Sequence, residues 1–264
     1  LMLGVMAGFD PKDSTSAARH DDWLDAVVAN GIAELDRPLT IGLPREYFSD
    51  NPNFSGIEAA KTELQKMGHR LVDVSLPHTE AAVPVYYVLA SAEASTNLSR
   101  YDGVRFGHRC EDPKSMQDLY ERSREEGFGA EVKRRILTGT YTLSVGYFDA
   151  YYLKAQKIRR LISEDFQQAF TQVDVLLAPT SPTPAFAKNQ LTDDHVAMYQ
   201  QDLFTVPTSL AGLPAMSLPC GFSNGLPMGM QLIAPAFRED LLLELAAQYQ
   251  RQTDWHLKRP EGAV

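Results

Sequence analysis

Short apolar runs alternate with amphipathic segments along most of this 264-residue chain. Residues 173–178 read VDVLLA and are stopped by a proline-rich stretch that begins at Pro179, which is typical of a buried strand. The strongest helical pattern covers residues 147–170, where apolar side chains recur at steps of three and four. Strands that alternate with helices predict an α/β fold, here a mixed sheet flanked by helices.

The same two patterns predict the other elements. We expect further strands at 40–43, 71–74, 215–219 and 228–234, the last two joined by a turn at Ser223-Asn224-Gly225. We expect further helices at 56–67, 79–98, 112–124 and 240–251. Because no linker, repeat or low-complexity tract divides the chain, residues 1–264 are predicted to belong to a single domain. The opening residues 1–9 (LMLGVMAGF) are typical of the end of a buried helix, so we expect this domain to begin upstream of Leu1.

Charge and cysteine content restrict the function classes. The chain carries 25 Lys and Arg against 34 Asp and Glu, a net charge of −9, which argues against binding nucleic acid over the whole surface. Cys110 and Cys220 are too few for a disulfide framework, which favours a reducing compartment. No apolar run approaches the roughly 18–20 residues that a membrane helix needs. These features predict a soluble, cytoplasmic enzyme with no membrane partner.

Several common catalytic and cofactor motifs are missing from the sequence. It contains no GxGxxG, P-loop, HExxH, CxxC or GxSxG pattern, and its six histidines are scattered without the spacing of metal ligands. We therefore expect neither a metal site nor a cofactor in this chain.

Three stretches look more specified than a scaffold requires. Residues 86–95 combine two tyrosines with small residues that allow backbones to approach closely, residues 127–141 contain the run KRR, and residues 202–219 combine Pro, Gly and small residues with an apolar segment. Packing alone also explains each stretch, since small residues are common at close contacts and paired arginines usually lie on a solvated helix face.

Taken together, these stretches resemble the amidase signature family, and within it the A subunits of the tRNA-dependent amidotransferases. The resemblance is collinear with the family's C-terminal half and is carried by MAGFDPKDSTS (6–16), LASAEASTNLSRYDGVRFG (89–107), GFGAEVKRRILTGTYTLSVGYFDAYYLKAQKIR (127–159), DVLLAPTSPTPAF (174–186) and DLFTVPTSLAGLPAMSLPCGF (202–222). The segment from EVKRR to KAQK is specific to the amidotransferase branch, whereas LAGLPAMSLP is shared by amidases generally. Ser209 departs from the branch, which usually has asparagine there. The resemblance implies an amidase signature fold, of which residues 1–264 would be the C-terminal portion.

The resemblance also implies an activity and partners. Family members of this branch release ammonia from glutamine, and a B subunit uses the ammonia with ATP and Mg²⁺ to amidate Glu-tRNA(Gln) or Asp-tRNA(Asn). A small C subunit holds the other two together, so the implied assembly is a cytoplasmic heterotrimer. ATP and Mg²⁺ would bind the B subunit, and aminoacyl-tRNA would be reached through the complex.

The implied active site is divided. The family's Ser–cis-Ser–Lys triad has no match here and is expected upstream of Leu1, so we assign no catalytic residue and expect the chain alone to be inactive; Ser14 and Ser16 belong to a turn. The resemblance assigns glutamine recognition to Tyr86, which lines the pocket, Arg135, which meets the α-carboxylate, and Asp202, which meets the α-amino group. A zwitterion needs one cation and one anion, and a guanidinium suits a carboxylate. The alternative interpretations are an exposed helix charge for Arg135 and an acid at a helix start for Asp202.

Two other functions stay open from the sequence. A stand-alone amidase that hydrolyses a small carboxamide would share LAGLP without needing Arg135 and Asp202 together. A truncated, non-catalytic piece that only binds the B and C subunits would also retain the branch signature.

Overall fold

The computed structural model describes residues 1–19, 22–48, 55–188, 190 and 194–260. The chain divides into two compact units. The first, which we call the sheet unit, consists of Leu1–Leu76 and Phe166–Val264, and the second, the helical unit, is Pro77–Asp165. That residues 1–264 form a single domain stays a prediction.

The sheet unit contains five strands. They are β1 (Thr40–Pro44), β2 (Arg70–Val74), β3 (Val175–Pro179), β4 (Ala215–Ser223) and β5 (Leu226–Ile233). Their order in the sheet is β2-β1-β3-β5-β4. β1 runs parallel to β2 and β3, whereas β5 runs antiparallel to β3 and β4. The sheet is therefore mixed, as the sequence predicts.

Local sequence explains the form of these strands. All five residues of β3 are buried, which is why its apolar run is continuous and does not alternate. β4 and β5 form a hairpin whose turn residues Asn224 and Gly225 have φ of 52° and 80°, the left-handed backbone that an Asn-Gly pair adopts readily. The predicted turn is confirmed.

The described residues form ten α-helices. They are α1 (Met2–Met6), α2 (Asp22–Asn30), α3 (Ser55–Lys66), α4 (Ala82–Leu98), α5 (Met116–Gly127), α6 (Ala130–Thr142), α7 (Lys154–Ala169), α8 (His195–Gln200), α9 (Val206–Ala211) and α10 (Glu239–Gln252). Short 3₁₀ helices occur at Arg45–Tyr47, Thr79–Ala81 and Trp255–Leu257, and a π-helix at Phe148–Leu153. None of the helices in the described ranges is both long enough and apolar enough to cross a bilayer.

The core of the sheet unit lies between the sheet and its helices. α3 and α10 both contact β4 and also contact each other. The largest fully buried side chains of this unit come from the strands and from these helices; they include Ile41, Ile57, Leu64, Leu176, Leu232 and Tyr249.

Helix boundaries differ from the sequence prediction in three places. The predicted helix at 112–124 starts later, at Met116, because the Ser115 hydroxyl caps it by accepting the backbone N–H of Asp118 at 3.1 Å. The helices predicted at 79–98 and 147–170 begin instead as a 3₁₀ turn and as the π-helix, respectively.

The opening apolar segment also differs from its prediction. Residues 2–6 are helical, but their apolar side chains are exposed, with Val5 83% and Met2 74% accessible. The predicted helical conformation is confirmed, whereas the predicted burial of these side chains is wrong for residues 1–264 as described.

Candidate functional site

Arg135 lies on α6 and is held by a carboxylate one turn earlier on the same helix. Its Nε donates a hydrogen bond to Oε1 of Glu131 at 3.0 Å. Nη1 of Arg134 also donates to this glutamate, through Oε2. Two guanidinium groups therefore share one carboxylate, and the trio retains one positive charge. The side chain of Arg135 is 30% exposed, so the group is half-buried and still reachable from solvent.

Two tyrosines of α4 complete the surroundings of Arg135. Its guanidinium carbon lies 5.4 Å from the ring centroid of Tyr87, within the range of a cation–π contact. The rings of Tyr86 and Tyr87 meet edge to face, with centroids 5.0 Å apart. The pKa of Arg135 is raised, first by the hydrogen bond to Glu131 and then by a hydrogen bond to Tyr86, against the lowering effect of partial burial. The guanidinium is therefore a permanent cation at this position.

Close packing of α4 against α6 brings these residues together. A Cβ added at Gly139 would lie 1.9 Å from the carbonyl oxygen of Ser91, so only glycine fits there. One turn away, the hydroxyls of Ser95 and Thr140 are 3.0 Å apart and hydrogen-bonded. Small residues of α4, such as Ser91 and Ser95, thus allow this helix to pack closely against α6. Close packing was one of the two interpretations of residues 86–95 in the sequence analysis.

Asp202 lies in the sheet unit, between α8 and α9. Its backbone carbonyl accepts the N–H groups of Thr205 at 3.1 Å and Val206 at 3.0 Å, which places it just before α9. The side chain is half-buried, and no described residue donates a hydrogen bond to its carboxylate. Asp202 lies in the turn before α9, three residues ahead of the N-cap Thr205, and so is not an acid of the first helical turn.

A cavity of about 340 Å³, lined by both polar and apolar residues, opens in the same unit next to α9. Its polar lining residues are Thr180, Thr205, Thr208, Ser209, Ser217 and Gln231. The hydroxyls of Thr180 and Ser217 are 2.9 Å apart, whereas the buried hydroxyl of Thr208 has no hydrogen-bond partner among the described residues. The lining carries no charge and suits a small uncharged polar group.

The described residues offer little else for chemistry. Within them, no group of three or more His, Cys, Asp or Glu side chains is placed to hold a metal ion. Both cysteines are buried, and burial raises the pKa of the Cys220 thiol to about 12. Cys220 is therefore protonated at neutral pH and is a poor nucleophile.

Comparison with known proteins identifies the family. A family model of the amidases matches residues 1–243 of this chain. The chain belongs to the amidase family. It is 57% identical over 265 residues to the A subunit of the glutamyl-tRNA(Gln) amidotransferase of Nitrosococcus oceani, a match that covers 99% of this chain and 54% of that protein. It is 58% identical over 264 residues to the corresponding A subunit of Hahella chejuensis, covering 98% of this chain and 54% of that one. The chain thus spans about half the length of the curated relatives it matches.

Solved amidase structures share the fold. The A subunit of the glutamyl-tRNA(Gln) amidotransferase of Thermotoga maritima superposes with a TM-score of 0.64 and 33% identity, over 90% of this chain and 47% of that one. A 6-aminohexanoate cyclic dimer hydrolase gives a TM-score of 0.71 at 21% identity, over 98% of this chain and 53% of that one, which shows the fold alone. The amidase resemblance and the mixed α/β fold inferred from the sequence are both confirmed.

The predicted recognition residues are distributed over the two units. Tyr86 and Arg135 meet within the helical unit, and Asp202 belongs to the sheet unit. Their role in binding glutamine stays a prediction. From the sequence, Tyr87 was included only as the second tyrosine of residues 86–95 and Glu131 was not named, although the four-residue spacing of Glu131 and Arg135 on a helix indicates a pair. Arg134 lies on a solvated helix face, as paired arginines usually do, and there it pairs with Glu131.

Proposed function

We propose that this chain is the C-terminal portion of the glutamine-hydrolysing A subunit of a tRNA-dependent amidotransferase. The supporting observation is its identity of 57–58% to A subunits named for glutamyl-tRNA(Gln), over almost its whole length. In this function, ammonia released from glutamine converts Glu-tRNA(Gln), or Asp-tRNA(Asn), to the amidated product. The proposal includes two cytoplasmic partners, the B and C subunits of a heterotrimer, with ATP and Mg²⁺ bound by the former.

Arg135 and Tyr86 would bind one end of glutamine. The cluster of Glu131, Arg134 and Arg135 retains one positive charge, which an α-carboxylate would neutralise. Charge-assisted bonds from a guanidinium to a carboxylate are among the strongest polar contacts in proteins. Because Arg135 is permanently charged, this contact would persist over the whole physiological pH range.

Asp202 would bind the other end. Its carboxylate is half-buried and receives no hydrogen bond from a described residue, which suits an α-ammonium group. A carboxylate can accept hydrogen bonds from the three N–H donors of an ammonium group.

The chemical step would need residues that this chain does not supply. The family's serine and lysine triad is expected in the part of the relatives that this chain does not match. Binding groups without a nucleophile do not lower the barrier, so we expect no glutamine hydrolysis by residues 1–264 alone.

A chimaera tests the proposal. This chain is joined to the part of the Hahella chejuensis relative that it does not match, and we call the product the completed protein. We expect the completed protein, purified with the B and C subunits of that organism, to release ammonia from glutamine, and this chain alone to release none above a blank. The blank is the completed protein with its triad serine replaced by alanine.

The same preparation separates the two other functions. Rapid hydrolysis of a small carboxamide without tRNA and without the B and C subunits would favour a stand-alone amidase. Capture of those two subunits without any glutamine hydrolysis would favour a non-catalytic interaction piece.

A further inference from the structure

Glu131 is unusual in the helical unit because it receives two arginines at once. Arg135 is one turn ahead at i+4 and Arg134 at i+3, and both donate to its carboxylate. A pair of this kind on an exposed helix adds little to stability. Its effect on the orientation of Arg135 is the more important consequence.

The bond from Arg135 to Glu131 uses only Nε of the guanidinium, which also hydrogen-bonds Tyr86. Glu131 accepts from Nε, which leaves the edge formed by the two Nη groups facing away from that carboxylate. The ring of Tyr87 lies 5.4 Å from the guanidinium carbon and supports its face. An arginine has many rotamers, so a guanidinium fixed at one edge and on one face loses less freedom when it binds an anion.

We propose that Glu131 and Tyr87 are positioning residues that hold the guanidinium of Arg135 ready for the α-carboxylate of glutamine. This inference rests on the proposed function. The charges are consistent with it, because Arg134 offsets the charge of Glu131 and leaves Arg135 attractive to an anion. Without Arg134, the glutamate would neutralise the cation that it orients.

A purely helix-stabilising role for Glu131 is the alternative, and the chain contains a matched control for it. On α7, Nε of Arg160 donates to Oε1 of Glu164 at 2.8 Å, again with i,i+4 spacing and within the helical unit. Glu164→Ala breaks an i,i+4 pair in which the arginine comes first, at a more exposed arginine that is not a recognition residue.

Steady-state kinetics of the completed protein with its partner subunits test the inference. We expect Glu131→Ala to raise the KM for glutamine about 10-fold while kcat changes less than about 2-fold, because ground-state binding is weakened and the chemistry is untouched. Glu131→Gln should recover much of the affinity, since its amide oxygen still accepts from Nε. Tyr87→Leu should raise KM as well, whereas Tyr87→Phe, which keeps the ring, should not. Glu164→Ala should leave both constants unchanged.

Several results overturn the inference. If Glu131→Ala alters KM no more than Glu164→Ala, the glutamate only supports the helix. Where Glu131→Ala fails to fold, the two Tyr87 variants decide, and equal KM values for leucine and phenylalanine contradict the proposal. A normal KM in Arg135→Ala removes its basis. Absence of glutamine hydrolysis in the unchanged completed protein is a different result, because it contradicts the proposed function itself.

Discussion

Replacement of Gly139 by alanine should separate the two helices that carry the recognition residues. The added methyl carbon would lie 1.9 Å from the carbonyl oxygen of Ser91, 2.5 Å from its carbonyl carbon and 2.7 Å from Cβ of Ser95. Ordinary contacts at such positions are 3.4–4 Å. Two of the three nearest atoms belong to backbone and cannot rotate away, so α4 and α6 must move apart by more than about 1 Å.

The energetic balance favours destabilisation. Overpacking of this kind typically costs about 1–3 kcal/mol. Alanine in a helix interior is better than glycine by about 0.5–1 kcal/mol, which offsets only part of that cost. A net loss of about 1–2 kcal/mol corresponds to a fall in Tm of roughly 2–8 °C for a domain of about 150–250 residues, and to a smaller fall for the longer completed protein.

The assay combines thermal unfolding with glutamine kinetics on the completed protein. We expect Gly139→Ala to lower Tm and also to raise the KM for glutamine, because Tyr86 moves away from Arg135 as the helices separate. Thr138→Ala is the control, since it changes an exposed neighbour on the same helix and adds no atoms. If Gly139→Ala matches Thr138→Ala in both Tm and KM, then the two helices do not pack as closely as described and the reasoning fails.

Three further predictions concern charges. Arg135→Ala in the completed protein should weaken glutamine-dependent amidation of tRNA by about 10-fold or more, because a charge-assisted bond is lost. Ammonia-dependent amidation should be retained. An unchanged KM for glutamine would contradict the assignment of Arg135. Asp202→Asn, which removes only the charge, should act likewise, and an equal loss with ammonia would mean structural damage. Burial lowers the pKa of His69, which accepts the N–H of Leu39 through Nδ1 at 3.0 Å and contacts Gln248 through Nε2 at 3.1 Å. The contribution of His69 to the free energy of unfolding should therefore be fully present above the pKa of about 6.5 in the unfolded chain, and it should decrease as the pH falls below that value. Tm measured from pH 7.5 to pH 5 should show this decrease, and the decrease should be smaller in His69→Gln. If His69→Gln has the same dependence of Tm on pH as the unchanged protein, the role of His69 is refuted.

Much of the sheet was predictable because its strands are local patterns. β3 is a continuous apolar run closed by proline, and the Asn-Gly turn between β4 and β5 needs the left-handed backbone that those two residues adopt. The order of the strands in the sheet was not predictable from these patterns. β1 pairs with β3 across more than a hundred residues of sequence, and no local pattern determines that pairing.

Helix positions were less predictable where short-range chemistry competes with periodicity. Ser115 caps α5 and so sets its start, although apolar spacing suggests an earlier one. α6, which carries Arg135, was not among the predicted helices, although it is about as amphipathic as α3 and α10, which were.

The candidate site was also predictable only in part. Residue types and the family resemblance pointed to Tyr86, Arg135 and Asp202, but the partners of Arg135 became visible only with the fold. Glu131 is detectable by its spacing, whereas the contact with Tyr87 depends on how α4 meets α6, which no local pattern determines.

Under the proposed function, the charge of the cluster around Arg135 separates two classes of substrate. Glu131, Arg134 and Arg135 together retain one positive charge, and the side chain of Arg135 is still 30% exposed. A carboxylate would neutralise that charge through charge-assisted hydrogen bonds, whereas a neutral carboxamide offers it no complement. An amino-acid amide would therefore be favoured at Arg135 over a simple amide because of its carboxylate.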